Sequence, residues 1–288
     1  MLGLIAVATT HDIGPPATPA RPSVVTPSRT PTAAPPRDLE PVAASRRATT
    51  AIDGLVQGAS VGHVSVAALD VATGRSFGYA PDTPIHTASV VKLDILATLL
   101  LQSQDAGRGL TVEERELATP MIEQSDNDAA TSLWDAVGGA PAVAEANRRL
   151  GPRAMDLADH WGSSTTSASD QLTLLAALTN PTVLDPAARS FAHDLMTNVE
   201  DDQTWGVSAA ADPGTTTALK NGWVPLDSDD GRWVVASVGV VTVAGDPVRL
   251  AVLTESQPSQ AAGIQLVEAL SRIAAGAVTS HPAPNAVG

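Results

Sequence analysis

A serine and a lysine three residues apart are the first candidates for chemistry in this chain. Ser89 and Lys92 lie in the segment T-A-S-V-V-K. The apolar run Val90 to Gln102 predicts a buried helix, with Thr87 as a candidate N-cap. Because residues three apart share a helix face, the Lys92 amine is expected to reach the Ser89 hydroxyl. A lysine buried against apolar neighbours loses its charge more easily and can serve as the base that a weakly nucleophilic serine needs.

Lysine usage supports this interpretation. The chain has two lysines, Lys92 and Lys220, against fifteen arginines. Arginine cannot lose its proton in a protein, whereas lysine can be tuned to act as a base. Lys220 stands in the segment L-K-N-G-W, at the start of a region rich in β-branched residues. Between the two lysines lies Ser125-Asp126-Asn127, ahead of a helical stretch from Ala129 to Val137.

The three motifs occur in the order in which S-x-x-K, S-D-N and K-T-G occur in class A β-lactamases and penicillin-binding proteins. Over about residues 44 to 275, the chain resembles the class A β-lactamase and serine penicillin-recognising family, and within it actinobacterial β-lactamase-related serine hydrolases. The resemblance implies a β-lactamase/transpeptidase-like fold, with an antiparallel sheet, an all-α lobe and a site in the cleft between them.

The resemblance also implies a role for each motif residue. Ser89 matches the acylated nucleophile, Lys92 its base, and Ser125 the proton shuttle toward the leaving nitrogen. The matching substrate-binding residues are Asn127, Lys220, Asn221, Gly222 and Trp223, with Arg232 on the next strand as a weaker candidate to assist Lys220. The backbone N–H groups of Ser89 and Trp223 match the oxyanion hole. Asp126 is expected to be a structural helix cap.

Two departures from the family pattern affect the predicted chemistry. Asn221 replaces the usual hydroxyl of the third motif, and we expect its amide to donate to a substrate carboxylate. Class A enzymes carry a loop glutamate that activates the deacylating water, but residues 151–166 contain no glutamate. Asp156, Asp159 and His160 are the nearby titratable candidates. The loss of a positioned base typically costs a factor of roughly 10²–10⁴ in rate, so acylation followed by slow release is expected.

The order of predicted elements gives the fold class independently of the resemblance. Strands are predicted near both ends of the region and helices in its middle. The sequence therefore predicts an α/β (α+β) fold, in which one antiparallel sheet is built from both chain ends, is flanked by helices, and carries an inserted all-α subdomain. We expect the α/β part at about 44–86 and 215–275, and the helical part at about 87–214.

The composition excludes several other functions. A net charge of −14 and a pI of about 4.6 argue against nucleic-acid binding. The absence of cysteine excludes a thiol nucleophile, and the six histidines show no metal-ligand spacing, so neither metal nor cofactor is expected. Residues 1–43 are predicted to be an apolar start and a Pro/Ala/Thr-rich linker, and residues 276–288 a flexible tail. The apolar start predicts an extracytoplasmic protein, secreted or tethered to the membrane through a longer N-terminus.

Three functions remain open at this point. The first is a β-lactamase-family serine hydrolase, and the second is a peptidoglycan DD-peptidase or transpeptidase-like enzyme. The third is a non-catalytic, stoichiometric penicillin binder of the cell envelope. The expected partner is a β-lactam or a D-Ala-D-Ala-type peptide.

Overall fold

The fold is organised around a five-stranded antiparallel sheet made from both ends of the chain. The computed structural model describes residues 39–59, 62–152 and 155–279. The strands are β1 (Val64–Asp70), β2 (Ser76–Tyr79), β3 (Ile85–His86), β4 (Thr165–Thr166), β5 (Ala218–Leu226), β6 (Arg232–Val243) and β7 (Asp246–Gln257). The large sheet has the order β2-β1-β7-β6-β5, while β3 and β4 form a separate two-stranded pair. The predicted sheet from both chain ends is confirmed.

Most helices lie between β3 and β5 in the sequence and form the inserted lobe. The helices are α1 (Leu39–Ala59), α2 (Lys92–Asp105), α3 (Val112–Glu123), α4 (Asn127–Val137), α5 (Gly139–Leu150), α6 (Ala168–Thr179), α7 (Pro186–Thr197) and α8 (Gln260–Thr279). Helices α1 and α8 pack against each other, and α8 also packs against the sheet. The α+β class with an all-α insertion is therefore confirmed.

Local sequence signals explain where several of these helices begin and end. Thr111 and Glu114 form a capping box at the start of α3. The Ser167 hydroxyl accepts the Asp170 N–H at the start of α6. Helix α5 ends at Gly151, whose φ of +113° lies in the left-handed region that favours glycine. Each of these helix ends is therefore set by residues next to it in the sequence.

The two faces of the sheet are buried in different cores, and this decides where the residues of β5 point. Leu219 packs in the core that contains Leu270 and Val267 of α8. Its neighbour Ala218 packs in the core shared with the helical lobe. Because side chains alternate along a strand, Lys220 and Gly222 face the lobe, whereas Asn221 and Trp223 face the α8 side.

Helix α8 combines length with an apolar composition. Within the described part of the chain it alone is long and apolar enough to cross a membrane. One face of α8, including Leu266, Val267, Leu270 and Ala274, is buried in the core on the sheet. Burial of this face against the sheet accounts for the apolar composition of α8.

Two predicted boundaries, at residues 44 and 275, need correction. Helix α1 begins at Leu39 rather than at residue 44, because Pro41 falls in its first turn, where the missing N–H is tolerated. Helix α8 continues to Thr279, so residues 276–279 are not a tail, and burial of Val278 holds this last turn on the core. The remaining parts of the predicted linker and tail, 1–38 and 280–288, lie outside the described residues.

Candidate active site

The candidate nucleophile lies in a strained turn rather than in the first turn of an α-helix. Residues Ala88–Val91 form a 3₁₀ turn that leads into α2. Ala88 has a φ of +42°, which is uncommon for a residue with a side chain, and Ser89 follows it in a partly exposed position. The Thr87 side chain does not cap the helix, because its hydroxyl and its N–H both donate to the Ser164 carbonyl, at 3.1 and 2.9 Å. The turn is thus held by the loop that precedes α6.

Strand β5 approaches this turn closely at Gly222. A β-carbon added to Gly222 would lie 2.8 Å from the Ser89 nitrogen, 3.0 Å from the Thr87 oxygen and 3.0 Å from the Val90 nitrogen. All three are backbone atoms that no side-chain rotation can move away. Glycine is therefore required at this position for the strand edge and the serine turn to come together.

The Lys92 amine is buried and held by the S-D-N segment. Its side chain has no solvent exposure. Nζ lies 2.6 Å from the Ser125 carbonyl oxygen, 3.3 Å from Ser125 Oγ and 2.7 Å from Asn127 Oδ1. Three acceptors satisfy the three N–H groups of an ammonium. Within the described residues no hydrogen bond joins Lys92 to Ser89, so the expected contact with the serine hydroxyl is not formed in this state.

Burial lowers the pKa of Lys92 well below its ordinary value, to about 8, and the carboxylate of Asp126 partly opposes this effect. Asp126 itself accepts the Ala129 N–H at 2.7 Å and caps α4, as predicted. Ser125, immediately before it, has a φ of +59°. The left-handed turn at Ser125 brings both its carbonyl and its hydroxyl to the Lys92 amine.

Lys220 is the second fully buried amine. Its Nζ donates to the Asn221 carbonyl at 3.1 Å. Burial, and then repulsion from Lys92, hold the pKa of Lys220 well below its usual range. Lys92 is therefore close enough to disfavour a charge on Lys220.

Asn221 faces away from this site, which corrects its predicted role. Its amide donates to the carbonyls of Gln203 and Trp205, at 2.8 and 3.1 Å. On the neighbouring strand, Ser237 lies opposite Asn221 and its hydroxyl accepts the Val207 N–H at 2.9 Å. The pair anchors the loop before β5. An amide can donate two hydrogen bonds where a hydroxyl donates one, which explains an asparagine here.

The outer edge of β5 presents backbone donors toward the serine turn. The Asn221 carbonyl accepts from Lys220, so it points away from β6. Backbone groups two residues apart along an edge strand point the same way, which directs the Trp223 N–H to the same edge. The Trp223 ring instead packs edge-on against Trp205, with the ring centroids 5.8 Å apart.

Arg232 does not lie near Lys220, which corrects a second prediction. Lys220 pairs with Val238 on β6, whereas Arg232 pairs with Leu226 at the other end of the hairpin. Six residues of strand separate the two positions along β5, or about 20 Å. The Arg232 Nε donates to the Ser256 carbonyl at 2.8 Å. Because the β5–β6 hairpin is long, the Arg232 guanidinium lies outside the site.

The loop before α6 supplies a residue that the sequence did not single out. Trp161, only 7% exposed, places its ring centroid 4.9 Å from the Lys92 Nζ. Its indole N–H donates to Thr131 Oγ1 at 3.2 Å, and the His160 ring stacks on it with centroids 5.3 Å apart. No motif marks this position, since a lone tryptophan in a loop carries no spacing signal.

The three titratable side chains of this loop remain outside the contacts of Lys92. Asp156, Asp159 and His160 are all exposed, and within the described residues none has a hydrogen bond to Lys92. Asp156 is held through its backbone, which pairs with Thr165. Across residues 39–59, 62–152 and 155–279, no three His, Cys, Asp or Glu side chains cluster as metal ligands.

Replacement of Gly222 by alanine is expected to force the strand and the serine turn apart. An overpacked contact of this kind typically costs about 1–3 kcal/mol of stability. Urea denaturation of Gly222→Ala would measure this cost. Gly109→Ala is the matched control, because a β-carbon at Gly109 meets no heavy atom within 4 Å. Equal stability of the two variants would contradict the close approach.

Comparison with known proteins assigns the chain to a family. The model of the Beta-lactamase enzyme family matches residues 47–113 and 100–278. Putative lipoproteins LppW of Mycobacterium tuberculosis and Mycobacterium bovis are 31% identical over 189 residues, or 62% of this chain. The match spans only 59% of the length of these relatives.

Solved structures show the same fold at low sequence identity. PBP-A has a TM-score of 0.68 at 21% identity and covers 79% of this chain and 94% of its own. A β-lactamase from Burkholderia phymatum has a TM-score of 0.70 at 21% identity, covering 82% and 99%. The TLA-1 extended-spectrum β-lactamase reaches 0.74 at 14% identity, covering 82% and 100%. The chain belongs to the Beta-lactamase enzyme family, and these solved structures share its fold.

Proposed function

We propose that the protein is a serine hydrolase that forms an acyl-enzyme on Ser89 with β-lactam-type amides and releases the acyl group slowly. The observation that carries the proposal is the buried Lys92 amine. Its pKa is lowered to about 8, and it is held between Ser125 and Asn127 beside the turn that presents Ser89. A lysine that loses its proton near neutral pH is the base that a serine nucleophile requires.

In the proposed acylation, neutral Lys92 takes the proton of the Ser89 hydroxyl while Ser89 Oγ attacks the lactam carbonyl carbon. The negative charge that develops on the carbonyl oxygen is stabilised by the backbone N–H groups of Ser89 and Trp223. The C–N bond then breaks, and the leaving nitrogen receives a proton through Ser125. Lys220 is the cation available to the substrate carboxylate, and Asn127 positions both the amine and the substrate amide.

Slow release of the acyl group is expected because Trp161, from the loop before α6, is the residue that faces Lys92. Hydrolysis of an acyl-enzyme needs a group that takes a proton from water. Trp161 occupies this side of Lys92, and an indole N–H is a donor only. The acidic residues Asp156 and Asp159 are exposed and have no hydrogen bond to Lys92 within the described residues. The described residues of this loop therefore offer the acylated serine no well-placed base for its water.

The names of two similar proteins support parts of this proposal. A variant of PBP-A, which has a TM-score of 0.68 to this chain, forms an acyl-enzyme complex with penicillin G. The LppW relatives are named putative lipoproteins. Together with the apolar N-terminal residues, that name favours an extracytoplasmic location in the cell envelope, which fractionation of cells expressing the full-length protein would test.

The loop also favours a second candidate function, a DD-peptidase or transpeptidase-like enzyme that acts on D-Ala-D-Ala-type peptides. Such enzymes likewise lack the loop glutamate, and in transfer an amine can replace water as the acceptor. Release of D-alanine from a pentapeptide mimic, measured beside penicillin turnover, would favour this activity over β-lactam hydrolysis. Stable labelling with neither activity would leave a stoichiometric penicillin binder.

Incubation with penicillin G is expected to add one acyl mass to the protein, and this adduct is expected to persist. Intact-mass spectrometry over time measures both acylation and release. Ser89→Ala should lose the adduct completely. Ser163→Ala, which removes an exposed loop serine, should label like the wild type. Equal labelling of Ser89→Ala and wild type would place the nucleophile elsewhere.

The acylation rate is expected to rise with pH and to level off above about 8, because only neutral Lys92 accepts the serine proton. Below this midpoint the rate should fall about tenfold per pH unit as the ammonium form takes over. Stopped-flow acylation from pH 6 to pH 9.5, with Ser89→Ala as the blank for penicillin hydrolysis by buffer, measures the profile. A rate that falls as pH rises would contradict this role of Lys92.

Trp161→Glu is expected to release the acyl group at least tenfold faster than Trp161→Gln, because only the carboxylate can accept a proton from water. The two variants match in size and lose the same buried indole. Release is followed by the decay of the acylated mass in both variants after their folding has been checked by circular dichroism. Equal release rates would show that the loop position does not govern deacylation.

A further inference from the structure

A cavity of about 430 Å³ lies between α6, α7 and the beginning of β5, away from the serine turn. Its apolar lining includes Leu175 and Leu178 of α6, Met196 of α7, and the strand residues Ala218 and Val240. A volume of this size falls within the range of about 300–1,000 Å³ that is typical of small-molecule sites. The residues proposed for catalysis do not line it, so this space has no role in the chemistry described above.

The ionisable side chains at the cavity are basic. Arg189 and His193 line it, and no acidic side chain is among its described lining residues. Of the neighbouring carboxylates, Asp185 caps α7 by accepting the Ala188 N–H. Asp194 is exposed on the same helix. The basic lining contrasts with the net charge of the chain, which is −14.

A further basic side chain, that of Arg249, lies at the edge of the cavity. Val240 pairs with Arg249 on β7 and with Ala218 on β5, so the three side chains form a row on one face of the sheet. The Arg249 Nη2 donates to Thr179 Oγ1 at 3.0 Å, and Thr179 also lines the cavity.

Arg249 has one donor group left over for a ligand. Its Nε is buried and has no hydrogen-bond acceptor among the described residues. Burial lowers the pKa of the Arg249 guanidinium, and among residues 39–59, 62–152 and 155–279 no carboxylate offsets that effect. A buried donor without an acceptor is unfavourable, and a bound carboxylate would supply both the acceptor and the opposite charge.

We propose that this cavity binds an amphipathic carboxylate, with its aliphatic chain on the apolar lining and its carboxylate on Arg249 and Arg189. The site is separate from the serine cleft, although Ala218 lies two residues before Lys220 on the same strand. Binding here does not depend on acylation and stands or falls independently of the proposed function.

Isothermal titration calorimetry with decanoate, below its micelle concentration, tests the proposal on the full chain. Decanoate should bind with saturation below about 1 mM. Decyltrimethylammonium, which carries the same chain on a cation, should bind at least tenfold more weakly. Absence of decanoate binding, or equal binding of the two probes, would overturn the proposal.

Arginine variants test whether decanoate binds in this cavity. Arg249→Gln and Arg189→Gln should each weaken decanoate binding roughly tenfold or more, as expected for a charge-assisted contact. Arg148→Gln, which removes a highly exposed arginine on α5, is the matched control and should bind like the wild type. If Arg249→Gln does not fold, Arg189→Gln decides alone. Unchanged binding in the folded arginine variants of the cavity contradicts the assignment.

Lys220→Met separates the cavity from the cleft. It removes the buried cation that could hold a carboxylate near Ser89, while it leaves Arg249 and Arg189 in place. Decanoate binding within twofold of wild type in this variant supports the cavity. Loss of binding in Lys220→Met would place the carboxylate in the cleft and overturn the proposal.

Discussion

The site depends on two buried amines that share a small space. Lys92 and Lys220 both have no solvent exposure, and repulsion between them adds to the effect of burial on Lys220. Such a pair is tolerated only where acceptors surround it. The left-handed turn at Ser125, the Asn127 amide oxygen and the edge carbonyl of Asn221 supply those acceptors. A carboxylate arriving in the cleft would bring the charge that this arrangement lacks.

The loop between α5 and α6 contributes to the site in two different ways. Ser164 holds the serine turn by accepting two hydrogen bonds from Thr87. A few residues earlier, Trp161 covers Lys92 with an aromatic ring. The loop thus supports the nucleophile and keeps the amine away from water, but it brings no carboxylate to the amine. These properties fit a protein in which making the acyl bond is easier than breaking it.

The sequence predicts the fold class from the order of its elements, and it predicts the Asp126 cap because capping is a local signal. The convergence of the three motifs is expected only from the family resemblance. The inward alternation of Lys220 and Gly222 also follows from strand geometry. The sequence could not predict the role of Asn221, since the loop carbonyls that hold it lie far away in the chain. The position of Arg232 depends on the length of a hairpin, and the position of Trp161 on how a loop folds over α2. The position of Trp161 is a tertiary outcome with no local signature, whereas that of Arg232 follows from a hairpin that pairs it with Leu226.

The pairing of β1 with β7 has a consequence for how the protein is made. Val64 pairs with Thr254, so the first strand of the sheet meets its central partner only when nearly the entire region has been synthesised. Contacts between such distant segments make folding slow, because a long loop must close before they form. A nascent chain that lacks β7 cannot complete this sheet, nor can it bring β5 into the sheet through β6. The complete sheet, and with it the cleft beside β5, can therefore form only after the last strand has been synthesised.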